Sequence, residues 1–340
     1  MRNIIVIMTA KKKWLTAGLS LLLAALAAFC FLFAYPALAR SDAAKPQGYK
    51  GILRLWHIDG FEGGRGARAS FLGQAARAYE AENEGVLVMI TAHTPESALN
   101  ALAAGAAPDI ISYGGACGFV AEIAQPLEKY EWPAAAIGGT TYGVPWCRGG
   151  YLLFTMNGDF SDVLAENTVI SSGRGAFPAA AAALEGWRGD FAELASVQAY
   201  TALIGGKYKY MLGTQRDVWR FVTRGVTVQA RALENFCDLW QYISVCASDA
   251  EKYNASLDFI DLLVSREWQV RLSSVGMLSP FYDAVYAEEG GGMRALEEEK
   301  PALLFPAFAD DAARETFSAL AEEALNGDEN SAKKLENYLV

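Results

Sequence analysis

The sequence predicts an α/β protein in two lobes behind an apolar leader, and three observations carry that prediction. Short β-type runs alternate with helical periods from Ile52 onward, 340 residues are long for one core, and three lysines precede a continuous apolar stretch. Strand, helix, strand, helix, strand with short connections implies parallel pairing through right-handed crossovers. About 300 residues beyond the leader suit two lobes better than one.

The leader comes first. Lys11, Lys12 and Lys13 are followed by an apolar run over residues 14–39 that ends in Ala37-Leu38-Ala39. A basic start, an apolar middle and a small-x-small end make a secretory signal, with cleavage expected after Ala39. Left uncut, the same run would span a hydrocarbon core of roughly 30 Å, so a membrane anchor is the alternative. Cys30 follows the bulky Phe29, a poor match to a lipoprotein cysteine. In either case the rest of the chain is expected outside the cytoplasm, at the cell surface or in the periplasm.

Losing Arg2 and the three lysines, with no acids, takes the formal charge from -10 to -14. So acidic a surface argues against nucleic acid or anionic lipid as a partner. Four cysteines remain, Cys117, Cys147, Cys237 and Cys246, without a C-x-x-C pair, so no zinc or thioredoxin-like site is expected. An even count in an exported chain permits disulfides, but buried free thiols are the plainer reading.

Each element has its own signal. Residues 52–56 alternate and then run apolar, as in a strand covered on both faces. From Ser70, an N-cap type, Phe71, Leu72, Ala75, Ala78 and Tyr79 recur at helical spacing until Asn83 and Gly85. "VLVMIT" reads as a second buried strand. Thr94-Pro95-Glu96 supplies a cap, a proline at the first helical position and an acid in the first turn of a helix carrying Leu99 and Leu102. "DIISYGG" is a third strand, with Asp109 bracing its backbone. Ligands of open parallel sheets sit beyond the carboxyl ends of the strands, which singles out loops 56–68, 91–94 and 112–118. "YGVPWCRGGYLLFTMN" is a turn and an aromatic-rich strand, with a change of lobe near Arg148 to Tyr151. The periodicity weakens across residues 176–183. "FCDLWQYISV" reads as a buried strand, and the tail past Glu288 is acidic and helical in composition.

Chemical motifs are scarce. Gly64-Arg65-Gly66-Ala67-Arg68-Ala69 resembles a dinucleotide fingerprint, but it stands about eight residues past the first strand, too far for the backbone to meet a pyrophosphate there. His57 and His93 are the only histidines, with no G-x-S-x-G or H-E-x-x-H beside them. Asp59 and Glu62 could serve as the carboxylate pair of an exported glycoside hydrolase, although such groups stand about 5 to 9 Å apart across a bond and rarely share one loop. No cofactor or metal is expected. Aromatic residues are more informative, because sugar rings stack on Trp and Tyr while their hydroxyls need fixed polar partners. Trp56 and Tyr113 stand at predicted strand ends, Trp146 beside the crossover, and Tyr208 and Tyr210 before a helix start. Trp219, Trp240 and Trp268 read as core. Arg148 and Arg216 could clamp an acid, but structural pairing is the default for both.

Taken in order, "LRLWHIDG", "FLGQAARAYEAENEGVLVMI", "ALAAGAAPDIISYGG", "YGVPWCRGGYLLFTMN", "KYKYMLGTQRDVWR", "FCDLWQYISV" and "FIDLLVSREWQVRLSSVGMLSP" resemble the family 1 extracellular solute-binding proteins, capture subunits of ABC importers related to maltose-binding protein. The resemblance implies a periplasmic-binding-protein-like fold, with each lobe a mostly parallel sheet flanked by helices. It implies solute in the cleft, most often a sugar or oligosaccharide, no covalent chemistry, membrane permease subunits as partners, and a monomer. It places residues 50–148 plus 235–275 in the first lobe and 149–234 plus 276–340 in the second. The family's cleft maps onto Trp56, His57 and Asp59, onto Tyr113 and Gly114, onto Trp146, and onto Tyr210. One departure is the short span between Asn157 and Lys207, where full-length relatives build a larger second lobe.

Overall fold

The computed structural model describes residues 21–35, 48–283, 286 and 292–340. The chain divides into two compact units, one up to Gly48 and one from Tyr49 to Val340. In the first, residues 21–35 are helical, with a π-type turn at Cys30–Ala34. No described helix is long and apolar enough to cross a membrane. The leader's lysines and the Ala37-Leu38-Ala39 triplet lie outside the described residues.

The second unit is built on two five-stranded sheets. The first orders its strands β2-β1-β3-β13-β6, comprising β1 (Gly51–His57), β2 (Val86–Ala92), β3 (Ile110–Tyr113), β6 (Val144–Arg148) and β13 (Trp240–Val245); the small hairpin β4 (Ala136–Ile137) and β5 (Thr140–Thr141) stands apart. The second orders its strands β11-β7-β10-β8-β9, comprising β7 (Tyr151–Thr155), β8 (Thr168–Ser172), β9 (Ala192–Ala195), β10 (Tyr210–Thr214) and β11 (Gln229–Ala232). In each sheet four of the five strands point one way; the exceptions are β13 and β7, which pair antiparallel on both sides.

The exceptions have a common cause. Both begin just after the chain has crossed from one sheet to the other, β7 after Gly149 and Gly150, β13 after the short strand β12 (Phe236–Cys237). A chain arriving from the opposite sheet enters at the carboxyl tips of its new neighbours, so it must run against them. The strands that leave, β6 and β11, end at those same tips. The carboxyl ends of both sheets therefore meet at one boundary, bridged by the crossings.

Helices cover the sheets as the sequence patterns require: α1 (Arg68–Glu82), α2 (Pro95–Ala103), α3 (Pro178–Leu184), α4 (Ser196–Ile204), α5 (Gln215–Thr223), α6 (Ala250–Val264), α7 (Asp311–Leu325) and α8 (Glu329–Glu336). Thr94 caps α2 by accepting from Ser97 N at 3.2 Å. The weakly periodic stretch is α3, whose Ala180 to Ala183 are all buried and let α7 approach closely. The four cysteines are free thiols, three of them buried.

Several expectations are corrected. β1 and β2 are not covered on both faces: Ile52, Leu87 and Met89 are 46%, 50% and 45% exposed, because β2 is an edge strand and no described helix lies over that face of the pair. Leu99 is likewise exposed, and Ala98 is the buried contact of α2. α1 starts at Arg68, before Ser70, with Ala67 as an N-cap that makes no side-chain bond. Asp109 braces β1, accepting from Arg54 N at 2.9 Å, and pairs with Lys252 at 3.0 Å. Trp219 is only half-buried and lies against Gly276 and Arg65, unlike Trp240 and Trp268, which are core.

Candidate functional site

The boundary between the two sets of strand tips is the candidate site, and on the first sheet it is organised by Ser112 and Gln241. Both are fully buried. The Ser112 hydroxyl accepts from the Trp146 indole N–H at 3.0 Å and from Gln241 Nε2 at 3.1 Å. With its oxygen occupied by two donors, its own proton goes to His57 Nδ1, 3.1 Å away. That assigns the His57 tautomer: Nε2 carries the proton and donates to Asp59 Oδ1 at 3.0 Å. Arg68 Nε donates to the same oxygen at 2.8 Å. Burial alone would raise the Asp59 carboxyl, but the His57 hydrogen bond and the Arg68 charge outweigh it and hold the group well below the usual carboxylate range.

The loop over residues 58–67 is fastened from both sides. Ile58 N donates to Ser112 O at 2.8 Å, and the Gln241 amide accepts from Gly60 N at 3.0 Å while donating to Ile58 O at 2.8 Å. The Arg68 guanidinium lies over the Phe61 ring, 4.2 Å from its centre, and donates to the Phe61 carbonyl. From the second sheet, Gln215 accepts from Gly150 N at 3.1 Å and donates to Glu62 O at 3.2 Å, while Arg216 pairs with Glu62. Gly60 also touches both neighbours directly. A β-carbon on it would stand 2.3 Å from Gly114 Cα, and one on Gly175, whose φ is +71°, would stand 2.0 Å from Gly60 O. At these residues the two sides are in contact, and Phe61 is buried between them.

The expected residues fall into two sets. His57 and Asp59 belong to the network just described, joined by Trp146 through Ser112, and Gly114 packs on Gly60. Trp56 is buried and packs against His93, with ring centres 4.6 Å apart and the ring planes inclined at 44°. Tyr113 is buried between Tyr242 and Phe308 and bonds Ser244 Oγ at 3.1 Å. Trp56, Tyr113, Trp146 and Tyr210 are at most 5% exposed, so none offers a free ring face in this arrangement. Tyr210 lies at the start of β10, paired with Thr155, whereas the boundary end of that strand is Thr214, paired with Tyr151. Four strand steps of about 3.3 Å put it roughly 13 Å from the tip. Its hydroxyl binds Asp159 O at 2.9 Å and the Asp162 carboxylate.

Sequence reasoning missed Gln241, Gln215, Asp238, Phe177 and Arg314. Gln215 was locatable: Thr214 and Asp217 form a capping box, with Thr214 N donating to Asp217 Oδ2 at 3.0 Å, so the helix start marks the strand tip. Asp238 lies on the crossing into β13, where its oxygens accept from Tyr151 Oη at 2.6 Å and Phe177 N at 3.1 Å. Burial pushes its carboxyl up to about 6 against those hydrogen bonds. No group of three or more histidines, cysteines and carboxylates able to hold a metal occurs among the described residues. A separate cavity of about 700 Å³ opens on the flank beside the β4–β5 hairpin, lined in part by Tyr130, Trp132 and Glu131.

No family model matches the sequence, and no curated protein matches it. Solved structures do resemble the chain. The sugar-binding protein MalE from Xanthomonas citri is 15% identical with a TM-score of 0.60, over 84% of this chain and 96% of that one. The cyclic alpha-maltosyl-1,6-maltose binding protein from Arthrobacter globiformis is 10% identical with a TM-score of 0.60, over 85% and 98%. The maltose-maltodextrin binding protein of Alicyclobacillus acidocaldarius is 13% identical with a TM-score of 0.55, over 85% and 99%. The match runs nearly the full length of each, and two mostly parallel sheets meeting tip to tip are what it rests on: the chain has the two-lobed fold of these binding proteins.

Proposed function

We propose that this protein is an extracytoplasmic solute-binding protein that holds a sugar or oligosaccharide between its lobes and delivers it to an ABC-type importer. The observation that carries the reading is the meeting of both sheets' carboxyl tips at one boundary, where open α/β sheets bind ligands. The likeness to solved sugar-binding proteins supports the solute class. The lobes are assigned as residues 50–148 plus 235–275 and 149–234 plus 276–340. Gly149 and Gly150 lie in one of the crossings about which the lobes would rotate, and a solute would favour the closed form by contacts made only there. Export, by a cleaved leader or a retained anchor, a monomeric state and a permease partner complete the proposal.

A hydrolase finds less support. Asp59 is held ionised by His57 and Arg68, so it is a poor proton donor, and Glu62 is paired with Arg216. Ser112, His57 and Asp59 stand in the order of a nucleophilic triad, but the serine and histidine are buried and the hydroxyl already serves two donors.

The test is a thermal-shift screen over mono- and oligosaccharides, polyols, amino acids and polyamines. A true ligand at 100 times its dissociation constant adds about 2.7 kcal/mol of stability. Silence from every sugar would remove the sugar from the proposal, and hydrolysis of a chromogenic glycoside would overturn it.

A further inference from the structure

We propose that Arg314 forms a carboxylate-binding subsite at the boundary, so that the solute is a sugar acid and not a neutral sugar. The inference rests on the solute-binding reading and narrows its ligand. Among the other arginines described at the boundary, Arg65 and Arg174 are exposed to water and make no side-chain hydrogen bond or ion pair, whereas four less exposed ones are engaged by acceptors, with only Arg68 Nη1 and Arg216 Nε left over. Arg68 serves Asp59 and Phe61 O, Arg216 pairs with Glu62, Arg220 with Asp217, and Arg148 donates to Leu296 O at 2.8 Å. The Arg314 side chain has no hydrogen bond and no ion pair among the described residues, although it is half-buried.

Its surroundings hold it without satisfying it. The guanidinium carbon is 4.5 Å from the centre of the Phe177 ring and 5.6 Å from that of Phe305. These rings attract the charge by their faces but accept none of its in-plane hydrogens. On another side lies Gly115, in the turn after β3; a β-carbon there would stand 2.3 Å from one terminal nitrogen and 2.9 Å from Cζ. Phe177 follows the tip of β8, so the group is shared by turns of both sheets. Asp238 and Asp311 are close enough to act on it electrostatically, but neither bonds it, and the Asp238 oxygens accept instead from Tyr151 and Phe177.

A half-buried guanidinium has five donors in a planar fork, a geometry matched by two carboxylate oxygens and poorly by a lone hydroxyl. Held by rings and a glycine backbone, it is already oriented, so little side-chain entropy is lost when the acid arrives. The carboxylate could belong to a uronic acid or to a simple organic acid, and the test separates the two.

Titration calorimetry on the intact chain would compare hexuronic acids and their oligomers, the matching neutral hexoses and oligomers, and ring-free carboxylic acids. The expected result is that the tightest ligand is a uronate, preferred over its neutral counterpart by about 10- to 100-fold, as for a charged hydrogen bond. Arg314→Gln should abolish that preference, and Arg314→Lys should retain part of it. A neutral sugar bound equally well overturns the subsite and leaves the sugar receptor standing. A preference for acids that survives Arg314→Gln also overturns it. Tight binding of ring-free acids alone keeps the subsite but removes the sugar, while no binding by any class sinks both. Should Arg314→Gln fail to fold, the acid-to-neutral ratio of the natural chain and its change in Arg314→Lys decide the matter.

Discussion

The two ends of the boundary differ in how completely their charges are used. Around His57 every donor but one has an acceptor: Ser112, Gln241, Trp146, Asp59 and Arg68 close on one another, leaving only the Arg68 Nη1 group without a hydrogen bond. Around Arg314 the largest donor group has none. A saturated buried network fixes geometry, because each bond removed leaves a partner stranded at low dielectric. An unsaturated guanidinium at a lobe boundary is ready for a guest. The same strand tips thus provide a rigid half and a receptive half.

The rigid half breaks most readily at Gln241. Gln241→Leu keeps the volume but strands Gly60 N and Ile58 O and removes one of the donors to Ser112. Each buried group left unpaired costs about 1–3 kcal/mol, so a loss of about 3–5 kcal/mol is expected in urea unfolding. A loss under about 1 kcal/mol would mean that the loop is held by packing alone.

Acid titration separates the halves by sign. Asp59, lowered when folded, contributes stability above its unfolded value of 3.8 that is lost as pH falls below it. Asp238, raised to about 6, does the opposite: between pH 3.8 and 6 the folded state binds more protons, so its contribution falls as pH rises through that window. The shift corresponds to about 3 kcal/mol. Asp238→Asn should therefore flatten the decline in melting temperature between pH 4 and 6. An unchanged profile would show that the Tyr151 and Phe177 hydrogen bonds already compensate for burial.

How much of this was legible follows from chain distance. β1, β2 and β3 and the cap at Thr94 are written in local pattern, and all are found. The reversed strands β7 and β13 are not, since direction depends on which side of a sheet the chain re-enters. Trp56, Tyr113 and Trp146 stand at strand ends, as local pattern predicts, but their burial depends on distant neighbours that pattern does not reveal. Tyr210 preceded a helix start, yet a five-residue strand carried it to the far end. Arg314 gives no local signal at all: it lies in an acidic helical tail, nearly 200 residues from the Gly115 turn it covers.

The smallest expected effect concerns the contact joining the two sides. Glu62 is 43% exposed and Arg216 14%, so their pair is screened and contributes at most about 1 kcal/mol. Its importance is its position, since it spans the boundary and must break whenever the lobes part. Glu62→Gln should lower the melting temperature by no more than a few degrees while raising the open fraction, seen as a larger radius of gyration in ligand-free solution scattering. Closure by ligand should persist, at a several-fold higher dissociation constant, because the variant shifts the open–closed balance and leaves the solute's contacts intact. If Glu62→Gln changed neither the scattering nor the affinity, Gln215 and the Gly60–Gly175 contact would be left as what holds the sides together.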